Sequence, residues 1–202
     1  MNGGSFMQYL KEDVKERILK AAFQEFKDKG FLDASIRNIT HNAGISTGSI
    51  YRYFNNKEQL FDTIIEPVYN KLFRNVLNLQ KSTDSCSNPI GEIMDIKVQI
   101  LDIFKENSSE LLILLDKSKG SKYENIKEHM VLLTDNILKE QLLPQLKEKN
   151  IVVKDTFITY VLSTTLIEGV YTILKNYDDG VEISFLIDQL INIFFTDIDQ
   201  RI

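Results

Sequence analysis

From residue 14 onward, apolar side chains return every third or fourth position, and no stretch alternates singly over the length of a strand. That spacing buries one face of a helix and leaves the other to water, so the chain is expected to fold as packed helices throughout. Breakers are scarce, nine Gly and three Pro in 202 residues, which favours helices almost throughout. A single Cys, Cys86, rules out an internal disulfide framework and a Cys-built zinc site. Stability must then come from a buried core, for which 202 residues suffice as one large domain or two small ones. The longest unbroken apolar run, Leu111 to Leu115, is five residues, against about twenty for a membrane span and about seven to fifteen for a signal peptide. The expected address is the cytoplasm, with Met1 to Ser5 a polar tail and no membrane partner.

The first helix carries Val14, Ile18, Leu19, Ala22, Phe23 and Phe26 on one face and is expected to stop at Gly30. Ser35 stands where an N-cap belongs, before Ile36, Ile39 and Ala43, and Gly44 ends this second helix. Its N3 position holds Asn38, so the acid of a capping box is missing. A third helix is expected from Thr47, capped by Ser46, with Ile45 and Ile50 at the N′ and N4 positions of a hydrophobic staple. At about 100° per residue, Phe54 lies about 40° from Ile50 on the buried face, whereas Gly48 and Arg52 point outward. Ser49 and Tyr51 flank them, Thr47 lies in the exposed first turn, and Tyr53 falls nearer the buried side.

Such a face suits a DNA major groove. A bare glycine allows close backbone approach, Arg can pair bidentately with guanine, and hydroxyls with helix N-terminal N–H groups meet phosphates. Helix, glycine turn and short helix make a helix-turn-helix pattern. A plain helical hairpin would also satisfy the packing, but it gives no reason for an exposed Gly48 that costs about 1 kcal/mol in a helix. The net charge of −5 conceals a division: residues 1–60 carry nine Lys and Arg against seven Asp and Glu, and the rest carry fifteen against twenty-two. The basic excess sits with the motif, although a difference of this size arises often in acidic proteins.

The run Ala43-Gly44-Ile45-Ser46-Thr47-Gly48-Ser49-Ile50-Tyr51-Arg52-Tyr53-Phe54-Asn55-Asn56-Lys57-Glu58-Gln59-Leu60-Phe61 resembles the signature of TetR-type bacterial transcriptional regulators. The likeness extends upstream through Phe26, Gly30, Phe31, Ser35, Ile36 and Ile39, covering roughly residues 13–62. It implies base contacts from Thr47, Gly48 and Arg52, and phosphate contacts from Ser35, Ser49, Tyr51, Tyr53 and Lys57. Thr47 stands where the family often has Lys, and Asn38 where it often has an acid. These departures bear on which operator is read. Arg37 and His41, one turn apart, lie within reach of phosphates but also fit an ordinary solvated face.

The resemblance further implies an all-α chain: a three-helix helix-turn-helix domain over residues 1–56, then a helical ligand-binding and dimerisation domain over 57–202. The expected function is a repressor that binds operator DNA as a homodimer and is released by a small-molecule inducer, with no cofactor or metal. A DNA-binding protein governed by a protein partner, a helical interaction protein and an enzyme are the alternatives. From Lys57 a stripe of Phe61, Ile65, Val68, Leu72, Val76 and Leu79 makes a long helix that Pro67 should kink or break. Ser82 to Asn88 is a polar loop, and further helices are expected near 89–106, 109–117, 122–148 with a kink at Pro144, 154–176 and 182–197. Asp178-Asp179-Gly180 is the turn between the last two. Phe157, Tyr160, Val161, Thr164 and Gly169, then Phe185, Leu186, Gln189, Leu190, Ile193 and Phe194, supply stripes for pairing with a second subunit, or for an intramolecular core. Phe104, Met130 and Tyr160, with Tyr123 and Tyr171, are candidates to line a ligand cavity, a role they share with ordinary core residues.

Enzyme chemistry finds no support. His41 and His129 lie in different halves, and the chain has no H-E-x-x-H pair or Walker loop. Asp178-Asp179 and Glu92 with Asp95 read as surface acids, and Cys86 lies in a polar loop with no partner nearby in sequence.

Overall fold

The computed structural model describes residues 3–81 and 89–196, and all the regular elements among them are helical. They run α1 (Gly3–Asp33), α2 (Ile36–Asn42), α3 (Thr47–Ile50), α4 (Lys57–Lys81), α5 (Pro89–Asp116), α6 (Ile126–Ile137), a π-helical turn (Leu138–Leu142), α7 (Leu143–Glu148), α8 (Phe157–Asn176) and α9 (Gly180–Phe195). Cys86 and the loop assigned to Ser82 to Asn88 lie outside the described residues. Gly3 to Ser5, expected as a tail, already belong to α1.

Two compact units result. One runs to Pro67 and takes in Asp116–Glu124; the other comprises Val68–Leu115 and the chain from Asn125. This differs from a single cut after residue 56. In the first unit, Phe61 packs edge-on to Phe26 and tilted to Phe31, each at 4.9 Å between ring centroids, and Tyr123 joins at 6.2 Å from Phe61. Ile18, Ala22, Ile39 and Leu60 are wholly buried around these rings. Gly30 adopts φ 74°, ψ 168° and breaks the run of α1 as expected. The break frees the Phe31 N–H to donate to the Lys117 carbonyl at 2.7 Å. Residues 117–125 were expected partly as helix, but Gly120 has φ 83° and the Ser121 side chain bonds locally, donating to the Ser118 carbonyl and accepting from the Tyr123 N–H. These local bonds compete with a helical start, which is delayed to Ile126. Lys122 reaches Asp62 at 3.0 Å, a contact that holds its ammonium well above the usual lysine range.

The second unit is built on the α6, α8 and α9 packing. α4 continues through Pro67 instead of breaking, since one lost backbone bond is small beside the buried stripe of Ile65, Val68, Leu72 and Val76. α5 bends at Asn107 (φ −128°, ψ 28°), between the two helices expected there. Before Pro144 the chain takes a π turn, with the Leu143 N–H donating to the Leu138 carbonyl, so the kink is absorbed ahead of the residue that cannot donate. Asp135, buried on α6, accepts from the Thr159 hydroxyl of α8 and the Lys139 ammonium. Burial alone raises its carboxyl; Lys139 and Thr159 together outweigh that and hold it below the usual carboxylate range.

Candidate nucleic-acid interface and internal cavity

The short third helix owes its position to two devices. The first stands in for the missing capping-box acid. Ser35 caps α2 with a long bond from the Asn38 N–H, 3.5 Å, while Glu25, buried on α1, accepts from the Ser35 N–H at 3.0 Å and the Asn38 side-chain amide at 3.2 Å. The acid absent at N3 thus arrives from a neighbouring helix and does the same work. The second device is the turn. The Gly44 N–H donates to the His41 carbonyl and the Ile45 N–H to the Thr40 carbonyl, the bond pair of a Schellman motif, with Gly44 at φ 66°. Arg17 fixes this end by donating to the Ala43 carbonyl at 2.7 Å.

Ser46 has the extended backbone of an N-cap, but its side chain makes no cap bond; its Oγ pairs with Ser49 Oγ at 2.7 Å instead. After Ile50 the chain tightens into i to i+3 bonds, Arg52 to Ser49 and Tyr53 to Ile50, so Arg52 and Tyr53 lie in a closing turn rather than on an extended helix. Ile50 and Phe54 are buried, as the helical phase requires. Gly48 is open, with nothing within 4 Å of where a Cβ would stand. Thr47, Tyr51 and Arg52 are exposed, and Ser49, Tyr53 and Ser35 are half-buried. Thr47 Oγ1 lies 3.3 Å from Thr40 Oγ1, which leaves the threonine's methyl as the freer group. Arg37 and His41 are exposed on α2.

Lys57 has a second occupation. Its ammonium donates to the carbonyls of Leu32 at 3.0 Å and Ala34 at 3.2 Å and lies 4.7 Å from the Phe31 ring centroid. Beside it, Asn56 caps α4 by accepting from the Gln59 N–H at 2.7 Å. Lys57→Met should therefore lower stability by about 1–2 kcal/mol, which is roughly 2–8 °C in melting temperature. A purely DNA-facing lysine would leave melting unchanged while reducing the salt dependence of binding.

The second unit contains a cavity of about 330 Å³ that is partly open to the outside. Phe104 and Met130 line it; Tyr160 does not, because its ring stacks on Phe157 at 5.5 Å near the exposed start of α8. Tyr171 is likewise absent from the lining, with Lys127 4.1 Å from its ring, and Tyr123 belongs to the other unit. Lys97, Thr134, Ile100, Leu166 and Phe195 line it and were not singled out from sequence. Their stripes were readable, but the side that turns inward depends on the bend at Asn107 and the π turn. Outside, Phe157 and Val161 on α8 and Val181, Phe185 and Ile193 on α9 are exposed. α8 is, among the described residues, the one helix long and apolar enough to cross a membrane, yet it buries Thr159, Ser163, Ile167, Val170 and Leu174 within its unit.

Residues 18–64 match the family described as bacterial regulatory proteins, tetR family. The chain is 24% identical over 105 residues to the transcriptional repressor KstR2 of Mycolicibacterium smegmatis, covering 52% of this chain and 50% of that protein. It is 30% identical to the helix-turn-helix transcriptional regulator YdgC of Bacillus subtilis, covering 64% and 66%. The chain thus spans between half and two thirds of the length of these curated relatives. A TetR-family transcriptional regulator from Bordetella parapertussis shares the fold, with a TM-score of 0.62, 14% identity, and coverage of 91% of this chain and 94% of that one. Residues 18–64, in which a Schellman turn at Gly44 presents a one-turn third helix, are thus a domain of the tetR family of bacterial regulatory proteins.

Proposed function

We propose that the protein is a sequence-specific DNA-binding transcriptional regulator of the cytoplasm, a homodimeric repressor released from its operator by a small-molecule inducer. The observation that carries this reading is the bare Gly48 flanked by exposed Thr47, Tyr51 and Arg52 on a rigidly held short helix. On this reading Thr47, Gly48 and Arg52 meet base edges, while Ser35, Ser49, Tyr51 and Tyr53 meet the backbone. Lys57, already bound to two carbonyls, contributes to phosphates only with its remaining N–H. The apolar stripes of α8 and α9 support pairing with a second copy. The cavity supports control by a small molecule over control by a protein partner. Phe104 and Met130 are its proposed ligand contacts.

The mechanism is a shift of population. DNA favours dimers whose two recognition helices match successive major grooves, and a ligand that binds another arrangement better lowers operator affinity by that difference alone. Selection of DNA fragments by the purified protein, followed by sequencing, tests the whole reading, because an enzyme or scaffold would enrich no motif. Two substitutions sharpen it. Arg52→Ala should cost about 1–3 kcal/mol on the selected operator and relax preference at one base pair per half-site. Gly48→Ala should keep or raise thermal stability by up to about 1 kcal/mol, since nothing obstructs the new methyl, yet weaken operator binding by holding the helix off the bases. Unchanged specificity in the first, or unchanged affinity in the second, would remove that residue from the interface.

A further inference from the structure

The cavity walls constrain the chemistry of what fills them. Side chains such as Leu72, Ile100, Leu111, Met130 and Phe195 present carbon to the interior. Among the described lining residues the polar groups are Thr134 and Lys97, and both are already engaged. The Thr134 hydroxyl donates to the Met130 carbonyl at 2.8 Å. The Lys97 ammonium lies 2.6 Å from Asp188 Oδ1 and donates to Asn192 Oδ1 at 3.0 Å, and Asn192 in turn donates to Asp188 at 3.0 Å. A carboxylate entering this space would have to displace Asp188 from Lys97. A cation would meet Lys97 with no acidic residue among the described lining residues and two phenyl rings, Phe104 and Phe195, as its compensation. Either charge would be poorly compensated in an apolar interior, where an unpaired ion is strongly disfavoured.

Size follows by proportion. A dry apolar cavity of about 150 Å³ takes up benzene, six carbons, so about 330 Å³ accommodates roughly a dozen non-hydrogen atoms. We infer that the effector accepted by this protein is an uncharged, almost wholly apolar molecule of about a dozen non-hydrogen atoms, selected by shape and hydrophobicity; this rests on the proposed ligand-responsive regulator. The Lys97–Asp188–Asn192 cluster is the specificity element, excluding amphiphiles with anionic heads by keeping the lysine occupied.

Full-length protein titrated calorimetrically with 1-decanol, biphenyl, decanoate and decylammonium tests this. The neutral probes should bind at least about tenfold more tightly than either ion and raise the melting temperature accordingly. Asp188→Asn, which removes the carboxylate paired with Lys97, should improve decanoate binding by about tenfold relative to 1-decanol. Ile100→Phe should weaken 1-decanol by at least about tenfold through lost volume; Leu166→Phe serves the same purpose if the first variant fails to fold. Decanoate matching 1-decanol in the wild type, no binding of a neutral probe, or 1-decanol binding that survives both filling variants would overturn the inference. Operator release by decanoate but not by 1-decanol would overturn the ligand class and leave the regulator reading standing. Failure to bind any DNA would remove the regulator reading, while the ranking of probe affinities would still decide the ligand class.

Discussion

Phe185→Asp should leave each chain folded, yield monomers, and drop operator affinity toward the roughly 10⁻⁴–10⁻⁶ M of sequence-independent DNA binding. Phe185 is 59% exposed in the single chain, Val181 60% and Ile193 65%, and they recur at helical spacing along one edge of α9. Phe157 and Val161 are similarly exposed on α8. An aspartate there is harmless in water, but on the proposed dimer it would bury an unpaired carboxylate on both sides of a self-complementary interface. One short recognition helix per monomer cannot span two grooves, so specific binding fails together with dimerisation. Phe194, also part of the sequence stripe, is a poorer probe. It is half-buried with its ring 6.2 Å from that of Phe195, so changing it would mix damage to the fold with dissociation. Sedimentation showing an intact Phe185→Asp dimer would place the interface elsewhere.

Gly180→Ala should cost about 3 kcal/mol of stability or more, well beyond the loss expected for Lys57→Met, and lower the melting temperature by roughly 6–12 °C. Asp179 holds the start of α9 by accepting from the N–H groups of Val181 and Glu182, both at 2.9 Å. The backbone at Gly180 is thereby set against the Lys105 carbonyl of α5, where an added Cβ would overlap the oxygen. A carbonyl within a helix cannot rotate away, so one of the two helices must shift. Gly169→Ala is the control. Its Cβ would come within 2.8 Å of a Leu190 methyl, which can change rotamer, so a loss nearer 1 kcal/mol is expected. Equal melting temperatures for the two variants would show that α9 can slide on α5 without penalty.

What could be read in advance, and what could not, divides by the range of the determining interaction. The Ser35 and Asn56 caps, the Gly30 and Gly44 turns and the burial of Ile50 and Phe54 rest on residues a few positions apart, and each was legible. The capping role of Glu25 was not, because its partners lie ten and thirteen residues away and nothing local marks a buried acid on an amphipathic helix. The carbonyl partners of Lys57 were hidden for a related reason: only the fold brings Leu32 and Ala34 to it. For the cavity, Phe104 and Met130 were found as large side chains on apolar stripes, whereas Tyr160 had the same signature and turned outward to Phe157. A one-dimensional stripe cannot tell which edge faces a hollow when a bend and a π turn reset the helical phase downstream.

The stretch Asp116–Glu124 has a bearing on how such proteins can be recombined. The aromatic cluster of the N-terminal unit is incomplete without Tyr123, and the Phe31 N–H has its acceptor on Lys117. A ribosome has therefore emitted more than half of the polypeptide before Tyr123 can join that cluster. A chimera cut at residue 56 or at Pro67 would carry the N-terminal unit without the segment that completes it. A graft intended to move the N-terminal unit onto another protein should bring residues 116–124 along as a second, non-contiguous insert.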